Sequence, residues 1–265
     1  MQDGADSSAS APAHQGGVSP NNPCPFLRGL VAGGYVGGHI VPLPKLTGTI
    51  ESATGEKGLK ERLAGIEIYL VALIANGLSP LRLLKSWWSG AVLDELRNGP
   101  LDKHGAGSRI LNIDGQVDEP EITRLDGFGS DYPKPSGGSE RGLNSRQITA
   151  YVDANFARAK GHRRAIDRLL MNGEWPVLLN IMGKGEGDDR YLSVAEVRTL
   201  FVERKFPERI VARLATGPVP PSRFFGLLRR LFVASGAVAI LAIVALTQFP
   251  DLLRAILKAT PGPWL

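Results

Sequence analysis

One cysteine stands in 265 residues, and it sits between two prolines in Asn22-Pro23-Cys24-Pro25-Phe26-Leu27. A lone cysteine excludes an intramolecular disulfide, so apolar packing must hold the fold together, and a reducing compartment suits the chain. Pro25 fits the first position of a helix, where its missing N–H would have no partner and its φ is already set. That makes Cys24 the N-cap, with its sulfur facing the free N–H groups of Phe26 and Leu27 and the positive end of the helix dipole. A thiol so placed is expected to have a lowered pKa and to serve as nucleophile or metal ligand. The same residue also fits as a small buried hydrophobe beside prolines. Spacing alone leaves the two readings even.

The C-terminal end sets the second constraint. Leu231 to Phe249 contains no charged residue, a length that just spans a hydrocarbon core. Arg223, Arg229 and Arg230 precede it, and Phe224-Phe225 supplies interfacial aromatics. The stiff linker Thr216-Gly217-Pro218-Val219-Pro220-Pro221-Ser222 separates it from the body. The expectation is a disordered tail at 1–20, a helical domain at 21–215, a linker and basic flank at 216–230, and a membrane tail anchor at 231–265. More arginine and lysine lies before the span than after it (Arg254, Lys258), which places the main domain on the cytoplasmic side. Without a basic region and apolar run at the N-terminus, export is not expected.

The formal net charge is +5. Its one dense cluster, Arg158, Lys160, Arg163, Arg164 and Arg168, reads as a solvated helix face without interleaved aromatics, so no nucleic-acid partner is expected. Helices are expected from Pro25, over Leu46 to Ala53, Leu59 to Asn76, Ser79 to Trp88, Ser145 to Lys160, and Arg163 to Met171. Asn172-Gly173 is expected to close the last of these. Leu59 to Asn76 is apolar nearly all round, as in a central core helix. Residues 132–142 are expected to form an exposed loop. Ser193 with Glu196 three residues on reads as a capping box for a helix to Arg204, which Pro207 ends.

Two stretches have the look of degenerate EF-hand loops. With Glu121 in the last position, Asn112 falls at 3, Asp114 at 5, Gly115 at the turn and Asp118 at 9, but Ile110 stands where the first carboxylate belongs. The stretch from Gly187 to Glu196 matches the later half of such a loop, with Arg190 in the glycine position and Gly185 and Gly187 in place of early carboxylates. Both are expected to keep the loop–helix shape without dependable calcium affinity. The four histidines are scattered without zinc spacing.

Pro23-Cys24-Pro25-Phe26-Leu27 followed by Gly33-Gly34-Tyr35-Val36 resembles the N-terminal signature of the heme-thiolate peroxidases, chloroperoxidase and the unspecific peroxygenases. That resemblance implies a mainly α domain in which Cys24 is the axial thiolate of heme iron, with Pro25 and Phe26 beside the cofactor. Peroxide cleavage in such a site needs an acid-base group. Glu174, next to Trp175, Pro176 and two leucines, is the candidate, since partial desolvation raises a carboxyl pKa toward the useful range. The resemblance points to the same glutamate, and Arg168 is a near match to the arginine that accompanies it. A solvated carboxylate at a helix end is the plain alternative for Glu174. Thr123-Arg124-Leu125-Asp126 matches the tail of the family's cation motif. Asp118, Glu119 and Glu121 are candidate oxygen ligands there for Mg2+ or Ca2+, although Val117 stands where the motif has its first glutamate.

Glu174 to Leu179, the turn after it and Leu192 to Phe201 are similar to the C-terminal half of caleosins, membrane-associated EF-hand proteins, some of them heme peroxygenases. The expected function is a membrane-tethered oxidoreductase using hydrogen peroxide on a small apolar substrate. The alternative is a caleosin-like or EF-hand-like membrane-associated module in which Cys24 is structural.

Overall fold

The computed structural model describes residues 17–55, 68–97, 99–102, 110–112, 114–134, 137–161 and 165–217. This part is mainly helical, with two small sheets. The N-terminal tail up to residue 16, the first half (59–67) of the Leu59–Asn76 helix, and the membrane span at 231–249 lie outside the described residues. Among the described residues no helix is long and apolar enough to cross a membrane.

Helix α1 runs Pro25–Ala32 and starts as its sequence requires, with Cys24 as N-cap and Pro25 in the first turn. It packs on the segment Thr199–Glu203 and on Phe206, whose ring meets Phe26 edge-on at 5.1 Å. Gly29 makes that approach feasible, because a Cβ there would come within 2.7 Å of Leu200. Helix α2 (Leu43–Thr54) ends at Gly55 in the left-handed region, φ 66°. The Arg213 guanidinium donates to the Ala53 and Thr54 carbonyls (3.3 and 3.2 Å), satisfying acceptors that a helix end leaves open. Helix α3 (Pro80–Ser89) follows, capped by Ser79. Strands β1 (Ile40–Val41) and β2 (Ala91–Val92) pair antiparallel, and the Asn76 side chain bonds both backbone polar groups of Val92.

The remainder consists of two helix–loop–strand–helix units set side by side. The first comprises α4 (Glu119–Asp126), the hairpin β3 (Ser130–Pro133) and β4 (Ser139–Asn144), and α5 (Ser145–Arg158). The second comprises α6 (Ala165–Met182), β5 (Tyr191–Ser193) and α7 (Val194–Arg198), with α8 (Glu208–Leu214) behind it. Strands β4 and β5 pair antiparallel with Leu143 opposite Leu192, both fully buried. Tyr151 on α5 and Trp175 on α6 meet edge-to-face at 5.2 Å at the centre of the core.

Several expectations change here. The stretch 132–142, expected as an exposed loop, is largely the β3–β4 hairpin, held by β5 on its far side. Helix α6 runs straight through Asn172-Gly173 and takes in Pro176, so Glu174 is a mid-helix residue. The helix expected from Ser193 to Arg204 is regular only as far as Arg198, then widens into a π-helical turn over Thr199–Glu203 that ends at Arg204 with φ 58°. Ser193 does cap it, accepting from the Glu196 N–H at 3.5 Å, but the Glu196 carboxylate is paired with Arg209 instead of returning to the cap. The full capping box belongs to Asn144 and Gln147 on α5.

Candidate functional site

Construction of the site begins at Asn22. Its buried side chain accepts the Cys24 N–H at 3.1 Å, an Asx turn that brings the chain into α1 in extended geometry at Cys24 (φ −82°, ψ 112°). Arg28, one turn into α1, locks the arrangement. Its Nη1 donates to the carbonyls of Ser19 (3.0 Å) and Asn22 (3.2 Å), and its Nη2 donates to that of Gly115 (3.0 Å). Arg28 is only 3% exposed, and burial lowers its pKa. A buried cation served by carbonyls is costly to leave unmatched. Gly115 sits at φ 71°, and a Cβ there would come 2.6 Å from Arg28 Nη1, so the turn after Asn112 and the cysteine loop are fitted to one side chain. We expect Arg28→Met to lower stability by about 2–4 kcal/mol, because three carbonyls lose their donor. Urea unfolding would measure it, and a change below about 0.5 kcal/mol would contradict this account.

The Cys24 thiol and the Glu174 carboxyl are both partly buried and lie within electrostatic range of each other. Each keeps some accessible surface, yet protein surrounds both on nearly every side. Burial pushes the thiol up to about 11, against the backbone N–H groups of Leu27 and Phe26 that pull it down, and the nearby Glu174 charge adds to the rise. The sequence expectation of a lowered thiol pKa is thereby reversed. The two N–H groups do face the sulfur, short of a cap hydrogen bond, but desolvation outweighs them. Glu174 itself is pushed up to about 7 by burial and, secondarily, by Asp102. Asp102 lies 3.7 Å from Arg97.

A residue that no sequence signal attached to the site lies within electrostatic range of Glu174. Tyr151 is close enough for the Glu174 charge to act on it, and burial pushes its phenol up to about 12. Its hydroxyl lies beside the Asn155 amide without a hydrogen bond of ordinary geometry, and both the hydroxyl and Asn155 Nδ2 are buried without a partner. Arg124 lies over the Tyr151 ring at 5.2 Å and donates to Asn155 Oδ1. Only an inward position on α5 marks Tyr151 in the sequence, and that pattern says nothing of a glutamate on another helix.

The other candidates separate. Pro25 and Phe26 are buried in the first turn of α1 beside Cys24. Arg168 lies on α6 among side chains outside the described residues. Glu119 pairs with Arg198. Glu121 holds Arg158 in two hydrogen bonds of 2.5 and 2.8 Å, with Arg124 at 3.7 Å. Asp118 caps α4 without a side-chain hydrogen bond. The three carboxylates proposed as an oxygen site therefore do not converge. Arginines already neutralise two of them, and among the described residues no three His, Cys, Asp or Glu side chains gather into a metal site.

Chemically, the pair offers a thiol that stays protonated at neutral pH and a carboxyl that can give or take a proton there. A thiol near 11 is almost wholly the neutral form, which makes a poor unassisted nucleophile. A metal overcomes that barrier by displacing the proton on binding. Comparison with protein-family models, curated proteins and solved structures gave no match.

Proposed function

We propose that this chain is a membrane-tethered heme-thiolate peroxidase or peroxygenase, using hydrogen peroxide to oxidise or oxygenate a small apolar molecule. One observation carries the reading: Cys24 and Glu174, 150 positions apart in the sequence, come into electrostatic range of each other, and burial pushes the carboxyl up to about 7. The donor chemistry at Cys24 is what supports the group. Cys24 offers sulfur as the donor, with the Leu27 and Phe26 N–H groups turned toward it, the kind of polar contact that tunes an iron–thiolate pair. When bound, the heme supplies the redox chemistry, its thiolate ligand favouring cleavage of the peroxide O–O bond. Glu174 takes the proton from one peroxide oxygen and returns it to the other, which a group near 7 does without a large penalty in either direction. Burial, the larger cause of that raised value, keeps the carboxyl partly away from bulk water. Hemin titration of the purified chain tests the reading. The expected result is stoichiometric uptake and a thiolate-type Soret band in the ferrous-CO complex, and a chain that stays colourless overturns it.

The paired helix–loop–strand–helix units favour a second, EF-hand-like description of the same domain. Leu192 falls at the eighth loop position and Glu196 at the twelfth, and the β4–β5 ladder joins the two units at Leu143 and Leu192. In place of a cation, Arg209 contacts both Glu196 oxygens at 2.6 Å. Lys184 Nζ lies 3.0 Å from Glu196 and donates to Glu140 at 2.7 Å. Glu140 also accepts from Tyr191 and Ser193, both at 2.9 Å. These cations already fill the carboxylates, so the pair is a structural clamp. Calorimetric titration is expected to show no calcium binding tighter than about 1 mM, and submillimolar binding would favour the calcium-responsive alternative.

A further inference from the structure

Helix α3 presents an apolar stripe to the outside. Leu83 and Ser86 point inward, and Trp87 meets Tyr69 edge-to-face at 6.0 Å. Leu81, Leu84 and Trp88 are 80%, 54% and 75% exposed. Their spacing of three, four and seven residues puts them on one face with Lys85 between them. Two leucines and a tryptophan bared together on a ten-residue helix form a patch, whereas scattered exposed apolar residues need no explanation.

We propose that this face rests in the headgroup layer of a phospholipid bilayer. Its composition is that of an interfacial element: aliphatic side chains to enter the acyl boundary, a tryptophan for the headgroup level, and a lysine for anionic lipid. The helix carries no acidic residue, and Arg82 is turned back toward the Asn76 carbonyl (3.2 Å) and Glu95 (3.6 Å). The rest of the chain supplies the means of delivery. Gly217, the last described residue, is fixed to the body by the Ser52 hydroxyl at 2.6 Å. From there residues 218–230 lead to the uncharged run at 231–249. Extended, a linker of that length reaches about 40 Å, so a membrane-inserted tail keeps the body within touching distance of the lipid. At the resulting local concentration, a stripe too small to bind a membrane by itself is sufficient. The proposal rests on the membrane tether proposed above.

The experiment uses the full chain with Trp264→Phe, reconstituted into nanodiscs of phosphatidylcholine and phosphatidylserine whose acyl chains are brominated. Tryptophan fluorescence is read with and without Trp88→Phe, which removes an exposed ring and leaves the core packing alone. Carbonate extraction of vesicles of the same lipids reports separately on the tail. Retention in carbonate, with quenching that Trp88→Phe abolishes and Leu81→Ser/Leu84→Ser weakens, supports the proposal. Retention with equal quenching in both chains overturns the α3 contact and leaves the anchor standing. Blue-shifted Trp88 emission without lipid quenching also overturns it, since the tail or a second copy then covers the stripe. Release by carbonate overturns the anchor and the proposal together.

Discussion

Replacing Glu174 by glutamine is expected to make the protein more stable and less active at once. The carboxyl titrates near 7 in the folded chain against an ordinary value of 4.5. Between those values the folded state holds a proton that the unfolded state has given up. Stability from this group is therefore complete below the ordinary value and is lost as pH rises through the folded value. Above neutrality the ionised, buried carboxylate costs about 2–3 kcal/mol after allowance for its partial access to solvent. Glutamine keeps the shape and cannot ionise. The variant should melt roughly 5 °C above the parent at about pH 8 and match it at about pH 4. Peroxide-dependent turnover, by contrast, should fall about 100- to 10,000-fold, the usual contribution of a positioned acid-base group, with the hemin spectrum unchanged. Glu174→Asp should recover part of the rate. Equal stability at both pH values would mean that the carboxyl is solvated, and unaltered turnover would remove it from the chemistry.

The origin of that trade-off explains what a linear reading can and cannot deliver. Local rules were enough for the start of α1. Pro25 suits the first turn of a helix, which makes Cys24 its cap, and Asn22 closes the turn before it. The same holds for α3, where Ser79 and Pro80 give a cap and a first turn, and for Ser193 before α7. Local rules misled wherever tertiary burial reversed them. Asn172-Gly173 and Pro176 read as breaks, yet α6 continues through them because its far half buries Trp175, Leu178, Ile181 and Met182. Residues 132–142 hold the prolines and glycines of a loop, yet they fold back as the β3–β4 hairpin, to which β5, some 50 residues later, adds a third strand. The thiol pKa shows the same limit in electrostatic form. The helix N-terminus that should lower it is visible in six residues, whereas the burial that raises it comes from the rest of the chain. Proximity of Glu174 to Cys24, and of Tyr151 and Asp102 to Glu174, is likewise a property of packing.

Loss of the cysteine is expected to cost far more in cofactor affinity than in fold. Sγ makes no cap hydrogen bond, and Cys24 contributes only partial burial to the core. The Asx turn at Asn22 acts through the Cys24 backbone N–H, and the Arg28 contacts are to carbonyls, so alanine leaves both in place. Cys24→Ala should therefore lower stability by no more than about 1 kcal/mol in urea unfolding. Hemin affinity should fall at least 100-fold, since even residues one step removed from a metal commonly account for 10- to 100-fold. Any hemin still taken up should lack the thiolate-type Soret band in the ferrous-CO form. Cys24→His separates ligation from packing: it should restore hemin uptake while moving that band to the position typical of imidazole ligation. A Cys24→Ala chain that binds hemin as tightly as the parent, with an unshifted band, would assign the iron to another residue. Unfolding of the variant without hemin loss in the parent would instead leave Cys24 as a packing residue at the mouth of α1. The two outcomes divide cleanly because the loop is held by Asn22 and Arg28, and neither contact runs through the sulfur.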